Sequence, residues 1–522
     1  MENNIRYVAS VLIETQSTIA INSGDKSLLL DNAIARDANG FPYIPGTSIA
    51  GVVHNMYQKI YPNKSTADIF GFTKLDAKYK KGDPKKESGS RIIFSSAYVS
   101  TSDGKTIIDG LMNYDKDTEY LNLLKLILDR DHVKTTDKGS AKKTGKFDRS
   151  LLYKGIRFGF EIELIGTEAD KEEWNNILKA LNINSFRIGA GTRNGSGKIK
   201  VIELAEKRYD LTDKQDLLAY LNKSSHLNNN LSERIQFIER EREDLDKYKK
   251  YKIQLKPRDF FLFGTSMPDA DADNAPKKEK VIEWDENNTP QFIEKYLLPA
   301  TSIKGALSHR TAYHYNLNNT TFIGKSTPLK EENFEWNIDK AIKDIVPSSN
   351  REDWSSDDPR WEEEMTKIEQ MKFEAFKNKS EEWNSFEAQL DSRQKKGTSL
   401  PTEEENEAVV MLFGMAKDTD AGRIGKVFID DIYIDKDKCH THIFNHVKID
   451  RFTGGAYDGA LFQEKALYTD EPITLNILVE LEETEKFKSA LKAFEAALDD
   501  LKNGNLALGG ATTKGYGVFQ NQ

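Results

Sequence analysis

The strongest constraint on the fold of this chain is an internal repeat, in which five short segments occur twice and in the same order. Each pair shares apolar or glycine positions, and the pairs are PYIPGTSIAG (42–51) and YLLPATSIKG (296–305), IFGF (69–72) and LFGM (412–415), RIIFSSAYVS (91–100) and GKVFIDDIYI (425–434), HVK (132–134 and 446–448), and GAGTRNGSG (189–197) and GGATTKGYG (509–517). An ordered repeat of this kind predicts one structural unit that is used twice.

The repeat and the length together predict two domains. A chain of 522 residues exceeds what a single hydrophobic core usually organises. We assign residues 1–204 to a first module and residues 250–522 to a second. Residues 205–249 lie between them and contain the Asn-rich stretch SSHLNNNLSERI, which is typical of a linker.

Two insertions distinguish the copies, since the spacing between corresponding segments changes along the chain. About 29 additional residues precede His132 in the first copy, and about 89 lie between Gly305 and Leu412 in the second. The longer insertion, at about residues 317–407, contains four tryptophans and is rich in acidic residues. This composition favours a small helical subdomain, with a contact surface for another subunit as the alternative.

The charge is distributed unevenly, which matters for any nucleic-acid partner. The formal net charge is −9, whereas binding to phosphates depends on Lys and Arg. Residues 330–407 hold 22 acidic and 12 basic side chains, a balance of −10, so the rest of the chain is close to neutral. Residues 132–157 hold eight Lys or Arg and only two Asp. The acidity therefore belongs to the insertion, and the basic run is either a solvated loop or an RNA contact.

Composition also limits the class of protein. Apolar residues make up 38% of the chain and charged residues 30%, a balance that supports buried cores with a well-solvated surface. Cys439 is the only cysteine, so no disulfide within the chain is possible. The sequence contains neither a leader pattern nor a long apolar run, and we expect a cytoplasmic protein with no membrane partner.

Periodicity predicts the same secondary structure in both copies. The predicted elements are strands at 7–13, 158–164, 251–255 and 473–479, and helices at 49–60, 174–181 and 487–498. Thr47 or Ser48 is a candidate N-cap for the first helix. The order βα followed by ββαβ predicts an α+β fold of two tandem ferredoxin-like or RRM-like modules, each with its helices on one face of an antiparallel sheet.

Several motifs resemble those of the RAMP superfamily. The stretch LLLDNAIARDANGFPYIPGTSIAGVV (28–53) is similar to the Asp loop and glycine-containing helix start of that family. HVKIDRFTGGAYDGALFQEKALY (446–468) resembles its thumb hairpin, and HVKTTDKGSAKKTGKFDRSLLY (132–153) is the counterpart in the first copy. The resemblance covers about three quarters of the chain. It is strongest to the backbone subunits of type III CRISPR effector complexes of the Csm and Cmr kinds.

The resemblance implies an antiviral function. Such subunits bind guide RNA and complementary target RNA, assemble with other type III effector subunits, and include endoribonucleases that cleave the target with a divalent metal ion, for which we expect Mg²⁺. Asp31 lies at the position of the loop aspartate that cleavage requires in the family. A carboxylate there could hold the metal ion or help to activate the ribose 2′-hydroxyl for attack on its own phosphate.

The Asp loop of the second copy departs from the pattern, because MPDADADNAPKKEKVIEWDENN occupies its place. Asp273 is followed by Asn and Ala, as Asp31 is, and is our candidate for the second catalytic residue. Asp269, Asp271 and Asp285 remain alternatives. Alternatively, the second module has no catalytic residue and is an inactive spacer.

The RNA-binding candidates come from four regions. Hydroxyl side chains at the two helix starts suit a phosphate cradle, Lys304 adds charge to the second, and the Gly-rich segments let the backbone approach a ligand closely. The other candidates lie in the thumb segments and the Asp loop, and their role is implied by the resemblance to the family. The candidates are Arg36, Thr47, Ser48, His132, Lys134, Arg193, Thr301, Ser302, Lys304, His446, Lys448, Arg451 and Lys514.

Three alternatives stay open at this point. The chain is a guide-binding scaffold without catalytic activity, or an endoribonuclease that processes guide RNA with His132 or His446 as acid or base, or a structural protein without RNA. In addition, Cys439, His440, His442 and His446 form a compact cluster whose spacing matches no common zinc site, and incidental histidines at a strand end are favoured over zinc binding.

Overall fold

The computed structural model describes residues 3–23, 34–71, 89–111, 119–135, 141–228, 231, 233–235, 247–265, 268–319, 406–415 and 422–521. Asp31 and nearly all of the predicted acidic insertion lie outside these residues. The prediction of a helical subdomain in the insertion therefore stays a prediction.

The first module is a ferredoxin-like unit. Its strands are β1 (Ile5–Thr15), β2 (Tyr43–Ile44), β3 (Ile92–Phe94), β4 (Ala97–Val99), β5 (Leu128–Thr135), β6 (Ala141–Leu151), β7 (Arg157–Gly166), β8 (Ile199–Asp210) and β9 (Glu233–Ile235), and its helices are α1 (Gly46–Ile60), α2 (Ala67–Phe70), α3 (Glu119–Lys125), α4 (Lys171–Ala180) and α5 (Lys214–Leu221). The main sheet has the order β2-β4-β7-β1-β8-β9, and β3 also pairs with β7. All of these pairings are antiparallel.

The second module repeats this arrangement. Its strands are β10 (Tyr248–Pro257), β11 (Lys278–Trp284), β12 (Pro290–Leu298), β13 (Gly414–Met415), β14 (Arg423–Ile424), β15 (Val427–Ile429), β16 (Ile432–Ile434), β17 (His440–Ile449), β18 (Ala456–Tyr468), β19 (Ile473–Glu480) and β20 (Phe519–Asn521), and its helices are α6 (Ala300–Asn318), α7 (Glu407–Phe413) and α8 (Glu485–Lys502). The order β15-β19-β10-β20 corresponds to β3-β7-β1-β8 in the first module. The predicted α+β fold of two tandem modules is therefore confirmed.

Each module has its own hydrophobic core, which explains why the strands and helices form where the periodicity predicts them. Alternate residues of β1, such as Tyr7, Val11 and Ile13, are buried in the first core, together with Trp174 of α4. In the second core, Phe487 and Phe494 of α8 pack in the same way. Burial of one stripe of each helix against one face of a sheet is the main stabilising contribution in this architecture.

A long β-hairpin projects from each module. In the first module β5 pairs with β6, and in the second β17 pairs with β18. These hairpins, called the first and second thumb below, coincide with the two segments that resemble the family's thumb. Each forms a two-stranded sheet separate from its module's main sheet.

The first module extends into the segment that the sequence analysis assigned to the linker. Strand β8 passes Leu204 and continues to Asp210, and β9 pairs with it near residue 235. Helix α5 follows β8, and Asp213 caps its N-terminus through hydrogen bonds from the amides of Gln215 and Asp216. The Asn-rich composition did not indicate β9, which pairs with β8, nor the extension of β8, which pairs with β1.

The two modules meet through a buried ion cluster. Arg130 of the first thumb donates to both carboxylate oxygens of Glu279 at 2.8 and 2.7 Å and to Asp431 at 2.7 Å. The hydroxyl of Tyr433 donates to Glu279 at 2.8 Å. A buried charge requires such partners, and Arg130 and Glu279 are each only 2% exposed. The thumb of the first module is thus anchored in the second.

Candidate nucleic-acid interface

The hydroxyl side chains at the two helix starts do not cap the helices, and residues far away in the sequence accept hydrogen bonds from the first helical amides. The N-cap residues are Pro45 for α1 and Pro299 for α6, and neither helix has a side-chain cap. The prediction that Thr47 or Ser48 is the N-cap is therefore wrong, because α1 already begins at Gly46 and these residues lie inside its first turn. Both side chains are exposed there.

The acceptors for the first helical amides come from the turn between the two short strands of each module. The amide of Gly46 donates to the hydroxyl of Ser96 at 3.3 Å, and the amide of Ala300 donates to Asp431 at 2.8 Å. Ser96 lies between β3 and β4, and Asp431 lies between β15 and β16. Ser302 is exposed and Thr301 is half-buried in the first turn of α6, so hydroxyls remain available to a ligand at both helix starts.

Lys304 lies at the junction of the modules. It projects from α6 of the second module, and its Nζ donates to the Asn194 side chain in the Gly-rich segment of the first module at 3.0 Å. Burial, together with the positive charges of Arg193 and Arg149, lowers the pKa of Lys304 to about 8. The absence of a carboxylate partner among the described residues makes this an under-compensated cation.

Two further cations lie at the junction. Arg149 is near enough to lower the pKa of Lys304, and Lys277 interacts electrostatically with Arg130 and His132 of the first thumb. Burial lowers the pKa values of Arg149 on the first thumb and of Lys277 in the second module. In the described part of the chain, neither forms an ion pair. We call Arg149, Lys277 and Lys304 the junction cations. Arg149 and Lys304, which are partly buried and form no ion pair among the described residues, favour a bound anion, because charge is costly to bury uncompensated.

In the second module, the Asp loop contacts the thumb. Asp273 is exposed, and its Oδ2 accepts a hydrogen bond from the backbone amide of Gln463 on β18 at 2.8 Å. Asp269 and Asp271 instead form ion pairs with Lys465 at 2.8 and 2.5 Å. Among these aspartates, Asp273 is the one without a cationic partner in the described residues.

Asp285, the remaining alternative, has a structural role. It lies in the turn between β11 and β12, and its Oδ1 accepts hydrogen bonds from the amides of Asn287 and Thr289 at 2.9 and 2.8 Å. An aspartate that closes a turn through two backbone amides is a common local motif. The structure thus favours Asp273 over Asp269, Asp271 and Asp285 as the candidate in the second module.

Glu464 is the centre of the second-module site. Its side chain is 4% exposed and lies 3.4 Å from the His446 Nε2 and 3.4 Å from the Lys514 Nζ. Asn274 of the Asp loop donates to its Oε2 at 3.3 Å. Burial, together with the Glu464 charge, raises the pKa of Tyr516 to about 12. The Asp loop, the thumb and the Gly-rich segment, which are far apart in sequence, thus converge on one carboxylate.

The histidine at the start of each thumb has the same packing in both modules. His132 stacks on Phe147 with ring centroids 5.1 Å apart, and His446 stacks on Phe462 at 4.8 Å. Their charged neighbours differ, because Arg149 lies two residues after Phe147 whereas Glu464 lies two residues after Phe462. Burial first, and then the charges of Arg149 and Lys277, lower the pKa of His132 to about 4.

Sequence analysis did not identify Glu464, Arg149 or Lys277 as site residues. A usable signal was present for the first two, since the thumb segments end in FQEKALY and FDRSLLY. Alignment on the final Leu-Tyr places Glu464 opposite Arg149, a charge reversal at one position of a repeat. No comparable signal marks Lys277, which is brought to the junction by the docking of the modules.

The two Gly-rich segments serve packing as well as any ligand. A Cβ at Gly189 would lie 2.3 Å from the carbonyl oxygen of Ala20, and one at Gly509 would lie 2.4 Å from that of Leu262. Both glycines have positive φ, which side chains disfavour. Arg193 points into the module junction, where it donates to the carbonyl of Gly425 at 2.6 Å. Lys514, by contrast, contacts Glu464 of the second thumb.

The other predicted RNA-binding residues lie at different places. Arg36 is half-buried and donates to the carbonyl oxygens of Gly40 and Lys125 at 2.6 and 3.0 Å, so it holds the loop before β2 to α3. Lys448 and Arg451 are exposed towards the tip of the second thumb. The side chain of Lys134 lies outside the described residues.

The cluster of Cys439 with histidines is divided between two environments. Cys439 belongs to the second hydrophobic core, and burial raises its pKa to about 11. His440 and His442 are exposed and contact the aromatic rings of Tyr468 and Phe260. Within the described ranges, no group of three or more His, Cys, Asp or Glu side chains is arranged to hold a metal ion.

A single carboxylate is nevertheless compatible with Mg²⁺. This ion usually keeps several water molecules and binds through one or two carboxylates together with substrate phosphates. Asp273 is exposed and engages a described residue only through Oδ2, so it fits that mode of binding. When bound, Mg²⁺ would neutralise charge on the phosphate.

The fold and the site define a class of tandem ferredoxin-like proteins that carry a β-hairpin thumb beside an acidic loop. The family model of the RAMP superfamily matches residues 12–200 and 283–520, which together are well over half of the chain. This chain belongs to the RAMP superfamily. The two matched regions fall in the two modules.

Two further comparisons complete this description. No curated protein matches the chain. A chain in the cryo-EM structure of the type III-B Cmr-beta bound to cognate target RNA matches with 16% identity and a TM-score of 0.27, over 38% of this chain and 60% of that chain. The match thus spans less than two thirds of the solved chain. No helix among the described residues is long and apolar enough to cross a membrane.

Proposed function

We propose that this chain is a backbone subunit of a type III CRISPR effector complex, which binds guide RNA, pairs with other effector subunits, and cleaves complementary target RNA. Membership of the RAMP superfamily supports the class of complex. The proposal of cleavage rests on one observation above the others, the convergence of the Asp273 loop, the second thumb and Lys514 around Glu464.

The proposed RNA path passes the junction cations. Arg149, Lys277 and Lys304 come from both modules and form no ion pair within the described part of the chain. Phosphates of a guide strand would supply the missing negative charge. Exposed hydroxyls of Ser48 and Ser302 at the helix starts would add hydrogen bonds to the backbone. Sequence specificity would come from base pairing between guide and target.

The proposed cleavage is an attack of a ribose 2′-hydroxyl on the adjacent phosphorus. The 2′-O–P bond forms while the P–O5′ bond breaks, so the products carry a cyclic phosphate and a 5′-hydroxyl. Asp31 in the first module and Asp273 in the second would each act at one scissile phosphate, by holding a divalent ion or assisting deprotonation. His446 would contribute a proton donor or acceptor beside Asp273.

Guide binding is tested with the whole chain and a labelled guide RNA. Lys304→Gln and Arg149→Gln should each weaken binding by about tenfold and lower the slope of log K against log salt by about 1. Lys488→Gln is the matched control, because Lys488 is exposed on α8 and pairs with the neighbouring Glu485. Equal affinity for all four proteins would reject the proposed path.

Cleavage is tested in the same preparations. Guide binding without target cleavage by the unmodified complex would indicate the scaffold function instead. Cutting of an isolated guide precursor, with dependence on His132 or His446, would indicate guide processing. Purification of the chain free of RNA, with no affinity for it, would contradict both the binding and the cleavage proposals.

A further inference from the structure

A cavity of about 490 Å³ lies between the two modules. The first module contributes α1 and the Gly-rich segment to its wall, and the second contributes β14, β15 and the residues beside them. We call it the junction cavity. Its volume is within the range of sites that hold small ligands, roughly 300–1,000 Å³.

The wall of the junction cavity is strongly cationic. Four basic side chains line it, against Glu480 as the acidic one, and these are Lys59, Arg187, Arg193 and Lys426. Lys59 is paired with Glu480 at 2.8 Å, and Lys426 with Glu482 at 3.0 Å. The two arginines are compensated less completely.

Arg187 is 6% exposed, and only part of its guanidinium is satisfied. Its Nη2 donates to Asp430 at 2.6 Å, but that carboxylate also accepts a bond from Lys198 at 2.6 Å. The Nε and Nη1 atoms of Arg187 have no hydrogen-bond partner among the residues that the structure describes. Buried donors without partners are rare in folded proteins and are energetically costly.

Arg193 lies beside Arg187 at the same aromatic ring. The guanidinium carbons of Arg187 and Arg193 are 5.6 and 4.8 Å from the centroid of Phe428. Arg193 donates to the Gly425 carbonyl and to the Thr192 hydroxyl, and it has no carboxylate partner among the described residues. Burial, reinforced by the charge of Arg187, lowers the pKa of Arg193.

We propose that the junction cavity binds a phosphate group, carried by a mononucleotide or by RNA, with Arg193 as the contacting cation and Arg187 adding charge beside it. A phosphate supplies the acceptors and the negative charge that this wall lacks, and Arg matches its geometry. The rings of Tyr248 and Phe428 line the same cavity and provide apolar surface for a base. Phosphate binding in the junction cavity is independent of the proposed cleavage of RNA.

The test uses the whole chain freed of RNA, titrated calorimetrically with AMP, inorganic phosphate and adenosine. AMP and phosphate should bind, and adenosine, which lacks the phosphate, should bind at least about tenfold more weakly. Arg193→Gln should weaken AMP binding by about tenfold or more. Asn55→Glu, at an exposed position of the cavity wall, adds a negative charge without removing a buried contact and should also weaken it.

Arg208→Gln is the matched control, since Arg208 pairs with Glu168 outside the junction cavity, and it should bind AMP normally. A second titration uses the chain with its RNA bound. Loss of AMP binding there assigns the site to RNA phosphates, and retained binding assigns it to a free nucleotide. The proposal is overturned if neither AMP nor phosphate binds the RNA-free chain, or if Arg193→Gln and Asn55→Glu both leave AMP binding unchanged.

Discussion

Glu464 in the second thumb occupies the position that Arg149 occupies in the first, two residues after the phenylalanine that stacks on the thumb histidine. The repeated unit thus keeps its geometry and reverses its charge at one place. His446 lies beside a carboxylate, whereas the pKa of His132 is lowered by burial and by Arg149. The two modules are therefore equivalent in fold and different in site chemistry.

Removal of the Glu464 charge should impair the second module selectively. Glu464→Gln keeps the shape and the contact with Asn274, but it removes the negative charge beside His446 and Lys514. We expect cleavage at the position assigned to the second module to slow by about tenfold, equivalent to about 1.4 kcal/mol, with cleavage by the first module unchanged. End-labelled target RNA separates the two products. Glu294→Gln, at an exposed ion pair with Lys436, is the control, and an equal loss at both positions would contradict the assignment.

His132 should make stability depend on pH. Its pKa is lowered to about 4 in the folded chain, mainly by burial, while an unfolded histidine titrates near 6.5. Between these values the unfolded chain binds a proton that the folded chain does not, so stability is full above pH 6.5 and is lost as the pH falls towards 4. His132→Gln should reduce the loss between pH 7.5 and 5 by about 1–2 kcal/mol.

Urea unfolding at the two pH values measures this difference. His226→Gln is the control, because His226 is largely exposed beside Asp109, and it should retain the pH dependence of the natural chain. The same slope in all three proteins would show that His132 is not the responsible group.

Lys304 should make RNA binding depend on pH at neutral to alkaline values. Its pKa is lowered to about 8 by burial and then by neighbouring arginines, so it loses its charge as the pH rises through that value. If the guide binds the charged form, its affinity should fall by about tenfold between pH 7 and pH 9. Lys304→Arg stays charged in this range and should give a nearly flat profile. Fluorescence anisotropy with a labelled guide gives both profiles, and a flat profile for the natural chain would argue against the contact.

Arg130 should determine how firmly the modules dock. Arg130→Gln leaves Glu279 and Asp431 buried without their cation, which typically costs about 3–5 kcal/mol. We expect the amide of Ile282, which donates to the carbonyl of Lys154 across the junction at 2.9 Å, to lose protection against hydrogen exchange. The exposed Arg208→Gln should change stability by about 0–1 kcal/mol and leave that amide protected. Unchanged protection in Arg130→Gln would show that the ion cluster does not hold the junction.

Most of the fold was predictable, because each module buries regular apolar stripes. The strand at 158–164 and the helix at 487–498, for example, lie inside β7 and α8. The caps of α1 and α6 were not predictable. Their acceptors, Ser96 and Asp431, are 50 and 131 residues away in the sequence from the amides they bind. A local sequence pattern does not indicate a contact between residues so far apart.

The site was predictable in part. Asp273, His446 and Lys514 were each selected from the sequence; the structure places His446 and Lys514 at the Glu464 carboxylate, and Asp273 accepts a hydrogen bond from the amide of the preceding residue, Gln463. The docking of the modules was not visible in the sequence, and it determines the surroundings of several charged residues. Arg193, expected at RNA through its Gly-rich segment, lies in the junction cavity because the second module covers that side of the first.

The most direct test of the proposed function is the cleavage pattern of the complete effector complex with end-labelled target RNA and Mg²⁺. Asp31→Ala should abolish one set of products and Asp273→Ala another, with guide binding unchanged in each. Asp285→Ala, at a turn away from the thumb, should leave the pattern intact. If both Asp31→Ala and Asp273→Ala cleave as the natural chain does while binding guide normally, the chain is not the endoribonuclease proposed here.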